Sequence, residues 1–296
     1  DARVEHWRRR TRLSRVAEPA GRCWWCILST AGATASLAAS IAAADSTTSS
    51  PRPTQPPPTP ASGDHDEVAA DRRRTARFAG VLYLSIFVLG PFVYFYVPGE
   101  LFADDAATTA SQISASTGLF TAGIVAETII VAIEVALAGL LWKLFRPVSE
   151  SLAFSSSLAR VGEAFIQTVN VLLAGGVLII IDRGGLSGLD ADERASVVGW
   201  LVDTIGLGVM VWGLLFGLHL LLLGVLVIRS SMVPRWIGWL LVVASVGYLA
   251  QSYGHIVDTD LDGLLATFVL VSIPGELAFA AYLLFRGVRS DDQSTG

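Results

Sequence analysis

Cysteine and charge are what this chain has least of. Among its 296 residues the only cysteines are Cys23 and Cys26, so residues 72–296 can form neither a disulfide nor a thiolate metal site. Cys23-Trp24-Trp25-Cys26 has the spacing of a redox pair, but no strand–helix unit of the thioredoxin kind follows it, and the pair reads as incidental. Charged residues are 16% of the chain, against about 25% in an ordinary globular protein. Apolar types reach 52% and the mean hydropathy is +0.56. These values exclude a soluble enzyme, a wholly disordered chain and a basic nucleic-acid binder. G-x-S-x-G, P-loop, dinucleotide-glycine and H-E-x-x-H motifs are missing too. That removes the usual signatures of hydrolase, ATPase, dehydrogenase and metalloprotease chemistry, and no cofactor or metal is expected.

What remains is long apolar runs. A helix needs roughly 20 mostly apolar residues to cross the bilayer core. Six such runs occur: Ala76–Val97, Leu119–Phe145, Ser151–Ile181, Thr204–Ile228, Trp236–Tyr253 and Leu264–Phe285. They are too long and too uniformly apolar for barrel strands, so the expected fold is all-α, a polytopic bundle of six transmembrane helices. Short loops such as Val97-Pro98-Gly99, Arg183-Gly184-Gly185 and Val233-Pro234 separate them. The stretches Asp104–Ser116 and Asp190–Asp203 open on capping acids and predict short interfacial helices.

Orientation follows from the loop charges. Ten basic residues fall on one side (Arg72, Arg73, Arg74, Arg77, Lys143, Arg146, Arg229, Arg235, Arg286 and Arg289), while only Arg183 and Arg194 fall on the other, among nine acids. The positive-inside rule then puts both ends of the six-helix unit in the cytoplasm, and the protein in the cytoplasmic (plasma) membrane with lipids as neighbours. Trp142, Trp236 and Trp239 fall at the inner interface and Trp200 near the outer one.

Residues 1–71 are a different material, Arg-rich, then Ala-rich, then Ser/Thr/Pro-rich, with eight Arg balancing eight acids; the net charge of −5 therefore belongs to residues 72–296. They are expected to be a disordered tail or an over-extended gene start. The alternative is a signal or extra helix at residues 23–44 ending at Ala42-Ala43-Ala44, opposed by the weak apolarity of that run and by the charge bias it would invert. The expected domains are thus 1–71, the membrane unit 72–290 and a polar tail 291–296.

Ionisable groups inside spans are costly, about 2.5–3.5 kcal/mol at the bilayer centre, and normally face the bundle interior. Glu127 and Glu134 share a face of the second run; Arg160, Glu163, Gln167 and Asn170 make one stripe of the third. Counted from the nearest basic end at 1.5 Å per residue, Glu134, His219 and Glu276 lie roughly 13–15 Å deep, with Arg160 and Glu163 at about that level. Glu134, Arg160, Glu163, His219 and Glu276 therefore form a candidate ligand-binding or proton-titrating set on four helices. An outer layer comprises Glu127, Tyr248, Gln251 and His255. Pro274-Gly275 precedes Glu276 and predicts a kink or break beside that carboxyl. The bland alternative is a packing network in which Arg160 pairs with Glu163 or Glu134.

Two further features read as structural. Gly206, Gly213, Gly217 and Gly224 make a small-residue stripe opposite His219, suited to close helix packing within the chain or in an oligomer. Asp258, Asp260, Asp262 and Gly263 fit the first positions of a calcium loop, but Val269 stands where the closing Glu belongs, so the loop reads as solvated acid.

Residues 75–288 resemble the prokaryotic six-helix membrane proteins grouped as domain of unknown function 4386. The stretches that carry the resemblance are Arg77-Phe-Ala-Gly-Val-Leu-Tyr83, Leu144-Phe-Arg-Pro-Val148, Arg160-Val-Gly-Glu163, Phe216 to Gly224, Val233-Pro-Arg-Trp-Ile-Gly238 and Pro274-Gly-Glu276. The resemblance implies a six-helix integral membrane protein and brings no catalytic residues. The functional expectation is a carrier or sensor for a small ligand, ion or lipid headgroup. An intramembrane enzyme acting on lipid or isoprenoid, or a purely structural protein, are the rivals.

Overall fold

The computed structural model describes residues 62–256 and 262–288. The Cys23–Cys26 pair, residues 23–44, Asp258, Asp260, Arg289 and residues 291–296 lie outside them. All regular structure among the described residues is helical. In order it comprises α1 (Ser62–Pro91), a π-helical turn (Phe92–Tyr96), α2 (Val97–Leu101), α3 (Ala106–Ala115), α4 (Thr117–Phe145), α5 (Glu150–Ile181), α6 (Ala191–Arg229), α7 (Arg235–Ile256) and α8 (Asp262–Phe285).

Five helical stretches are long and apolar enough to cross a membrane: Glu67–Leu101, Thr117–Phe145, Glu150–Ile181, Ala191–Arg229 and Arg235–Ile256. The sixth apolar run of the sequence forms α8, a 24-residue helix. Large apolar side chains, among them Phe78, Phe95, Phe154, Phe165, Leu172 and Trp200, are exposed on the outer faces. In water that surface would drive aggregation; in hydrocarbon it needs no partner. The molecule is a polytopic helical membrane protein.

Three boundaries differ from the sequence expectation. α1 starts at Ser62, upstream of the boundary expected at residue 72, because the Glu-Val-Ala-Ala stretch at 67–70 carries good helix formers straight into Arg72–Arg77. The interfacial helix expected over Asp190–Asp203 is instead the opening of the 39-residue α6, since no breaker separates Asp203 from Thr204. Asp190 and Glu193 close a capping box at its start. The first span is not uniform: Pro91 lacks the N–H that would continue the ladder, and the Val97 N–H bonds to the Phe92 carbonyl five residues back.

The short α3 is held by its cap. Asp105 accepts from the Thr108 backbone N–H at 2.8 Å. The Thr108 hydroxyl, and after it that N–H, hold the Asp105 carboxyl below the usual aspartate range. A lowered native pKa contributes stability above the unfolded value and loses it as pH falls through the native one. Acidification below the ordinary aspartate range should therefore fray the start of α3. Hydrogen exchange at residues 106–109 measures this: protection falls in acid in the wild type and is already low, without pH dependence, in Asp105→Ala. Equal acid response in both would remove the cap as its cause.

The long helices form a ring. α1 packs on α4, α4 on α5, α5 on α6, α6 on α7, α7 on α8, and α8 returns to α1. The closing contact is tight: a Cβ on Gly80 of α1 would stand 2.6 Å from the Leu284 backbone nitrogen of α8. The glycine stripe of α6 is used the same way. Gly213 faces Ser252, Gly217 faces Leu249 and Gly224 faces Gly238 and Val242, all on α7. Three of its four glycines thus pack within the chain.

Along the ring axis the interior has three levels. At the end bearing Arg72–Arg77 and Lys143, a dense apolar layer joins Ala76, Ala79, Leu141, Phe145, Leu223, Leu241 and Phe279. At the opposite end a second apolar cluster is built on Leu101, Ile113, Phe120, Val177 and Val198. Between them, on all six long helices, lie the polar groups.

Candidate functional site

Each helix contributes to the middle level because its run carries a polar or aromatic residue at the same height. α4 supplies Glu134, α5 Ser156, Arg160 and Glu163, α6 Trp212 and His219, α7 Tyr248, α8 Glu276 and α1 Tyr83. Glu163 and His219 are fully buried; Glu134 and Arg160 are 1% exposed. All five residues of the inner candidate set therefore point into the ring.

Arg160 does not pair as the sequence alternative proposed. Among the described residues no carboxylate forms an ion pair with it. Its guanidinium instead lies over the Tyr83 ring, 4.9 Å from the centroid, and 6.0 Å from that of Phe216. Its Nη1 approaches the Tyr83 hydroxyl at 3.5 Å. Glu134, Glu163 and Glu276 all lie within its electrostatic reach. The i,i+3 spacing of Arg160 and Glu163 puts them on one face but leaves the head groups apart, the planar guanidinium preferring the aromatic faces. The ion pair seen at the surface is elsewhere, Lys143 to Asp71 at 2.8 Å.

His219 is fixed on one side only. Its Nδ1 lies 2.9 Å from the Ser156 carbonyl oxygen, which can only accept, so the ring donates from Nδ1. The Ser156 hydroxyl sits 3.0 Å from the same nitrogen. That tautomer leaves Nε2 as an acceptor, and Nε2 has no partner.

Tyr248, expected in an outer layer, lies within electrostatic reach of Glu276 of the inner set. The other members of that layer separate. Gln251 is half-buried on α7, His255 is exposed on the same helix, and Glu127 faces a cavity described below. Trp236, Trp239 and Trp200 are exposed, whereas Trp142 is half-buried against the apolar layer.

An aromatic column runs through the same level, unforeseen in the sequence apart from Tyr248. Tyr94 stacks on Trp212 at 6.0 Å, Trp212 on Phe216 at 4.9 Å, and Phe216 meets Tyr248 edge-on at 4.8 Å. Gln167 of the α5 stripe donates to the Tyr94 hydroxyl. The π-helical turn carries Tyr94, and such turns concentrate at functional sites. The signal available was a tyrosine in mid-span, away from either interface, where its hydroxyl needs a polar partner.

Buried polar atoms normally find partners. Nine in this interior do not: Glu134 Oε2, Arg160 Nε, both Glu163 carboxyl oxygens, Gln167 Oε1, Asn170 Nδ2, Trp212 Nε1, His219 Nε2 and Glu276 Oε1. The Trp212 N–H lies in electrostatic reach of Glu134 without meeting hydrogen-bond geometry. Three carboxyls share one guanidinium, so they cannot all ionise unless further positive charge enters the ring. Among the described residues no three His, Cys, Asp or Glu side chains converge to hold a metal ion.

Outward of this level lies a cavity of about 260 Å³. Its walls are Val93, Val97, Phe120, Ile124, Val202, Ile205 and Met210, with Tyr94 and Glu127 as their polar members. Glu127 is 8% exposed.

Residues 78–287 match the model of the domain of unknown function DUF4386, a span of more than two thirds of the chain. The chain belongs to this family. An uncharacterised protein of Archaeoglobus fulgidus is 29% identical over 164 residues, 55% of this chain and 83% of that protein. No solved structure matches. The groups lining the ring interior all fall inside the DUF4386 region.

Proposed function

We propose that this DUF4386 protein spans the cytoplasmic membrane six times with both ends of the bundle in the cytoplasm, and that it binds a small cationic or hydrogen-bonding ligand in the ring interior, as a carrier or sensor. The observation that carries the reading is the set of nine unpartnered buried polar atoms, contributed by α4, α5, α6 and α8, four of them carboxylate oxygens. A packing network would have closed on itself; this one is left with acceptors in excess. The ten-to-two loop bias supports the orientation.

Thermal unfolding of the purified protein in detergent tests the site, for wild type and Glu276→Gln, across inorganic cations, small amines and polar solutes. A ligand that binds only the folded state at a hundred times its Kd stabilises it by about 2.7 kcal/mol. One condition should raise the wild-type midpoint by several degrees and leave Glu276→Gln unmoved. If both proteins melt alike in every condition, the interior is packing and the reading falls.

A further inference from the structure

The outer cavity is a separate place from the interior set, and its chemistry is unlike it. Its walls come from the π-helical turn, α2, α4, α5 and α6, and are almost wholly apolar. Against that lining stands a single carboxyl, Glu127. Among the described residues no hydrogen-bond donor or cation reaches it; the charge that acts on it is the like-charged Glu134, one heptad along α4. The neighbouring phenol of Tyr94 accepts from Gln167 and keeps its own O–H to donate. A carboxyl more than nine-tenths buried and facing a cavity can ionise there only if what enters brings a counter-charge.

We infer that this cavity is a binding site for a small amphiphilic amine, its ammonium on Glu127 and its apolar body against Val97, Phe120, Ile124, Val202 and Ile205. A bare divalent cation is the poorer fit, because it requires six or more oxygen ligands and the cavity offers one carboxylate. A purely apolar occupant leaves Glu127 unpaired. An organic cation satisfies both parts of the lining, and about 260 Å³ suits a molecule smaller than a typical drug.

Gly206 gives a second handle that does not touch the carboxyl. It lines the cavity, and a Cβ there would meet nothing within 4 Å. Gly206→Leu therefore fills the space without clashing with a neighbouring helix, and removes a helix-weakening glycine from α6.

The experiment is calorimetric titration of 2-phenylethylamine, protonated at neutral pH, and of its neutral analogue 2-phenylethanol, into wild type, Glu127→Gln, Gly206→Leu and Glu276→Gln in detergent. The amine should bind wild type at least tenfold more tightly than the alcohol. Glu127→Gln should lose that preference, and Gly206→Leu should lose binding of both while keeping the wild-type melting midpoint. Glu276→Gln should bind the amine as wild type does, which separates this cavity from the interior site proposed above. Equal binding of alcohol and amine, or an amine affinity unchanged in Glu127→Gln, overturns the assignment. So does failure of the amine to bind wild type at millimolar concentration.

Discussion

Arg160→Ala should cost the folded protein about 3–5 kcal/mol, the usual penalty for breaking a buried charge arrangement by removing one member. Arg160 is among the largest fully buried side chains of the molecule. Its guanidinium covers the Tyr83 ring and abuts Phe216, so truncation leaves a hole bordered by α1, α5 and α6. It also removes the positive charge that Glu134, Glu163 and Glu276 share. Arg160→Met separates the two contributions, because it restores most of the volume and none of the charge. If Met recovers most of the loss, the hole dominates; if it recovers little, the charge does. Unfolding in detergent followed by tryptophan fluorescence reads both, and a loss under 1 kcal/mol for Arg160→Ala would show that the ring interior does not depend on this side chain.

Gly80→Val is the second large effect expected, and it acts on the seam rather than the centre. Its Cβ would stand 2.6, 2.8 and 2.9 Å from the nitrogen, Cα and Cβ of Leu284. Backbone cannot swing away as the end of a flexible side chain can, so α1 and α8 must part. Overpacking typically costs about 1–3 kcal/mol, and here it falls on the contact that closes the ring. Gly139→Val on α4 is the control, since nothing lies within 4 Å of a Cβ there. A large drop in melting midpoint for the first and little change for the second is the expected pair. Equal, small changes would mean that α1 and α8 are more widely spaced than described.

How much of this was legible beforehand can be followed residue by residue. The apolar runs and the stripe Arg160, Glu163, Gln167, Asn170 are periodic signals, and period fixes which residues share a face. Depth counted along a helix brought Glu134, His219 and Glu276 to a common level, and the folded chain turns all three inward. Period carries no information about which helix a face meets. That is why the sequence offers Glu163 or Glu134 as partners of Arg160, although its guanidinium lies on Tyr83 of another helix. Tyr248 is a related case: its height along α7 suggests an outer layer, while its ring packs on Phe216 and against the apolar layer at the basic end. Tyr94 and Trp212 were passed over because aromatic residues in a span are ordinarily packing or belt residues, and only contact with Gln167 sets Tyr94 apart. The seam at Gly80 was equally hidden, since a lone glycine in a span has no periodic partner.

The ring has a consequence for how the chain is made. From α4 onward each long helix docks on the one synthesised just before it, so most of the structure can assemble in the order of translation, with short-range closures throughout. The exception is α8 against α1, the first and last long helices, separated by nearly the whole domain. Until α8 is made, the ring lacks the helix that joins α7 to α1 and stays an open arc. The loop-closure entropy of the whole domain therefore falls on one late contact, the seam at Gly80 and Leu284.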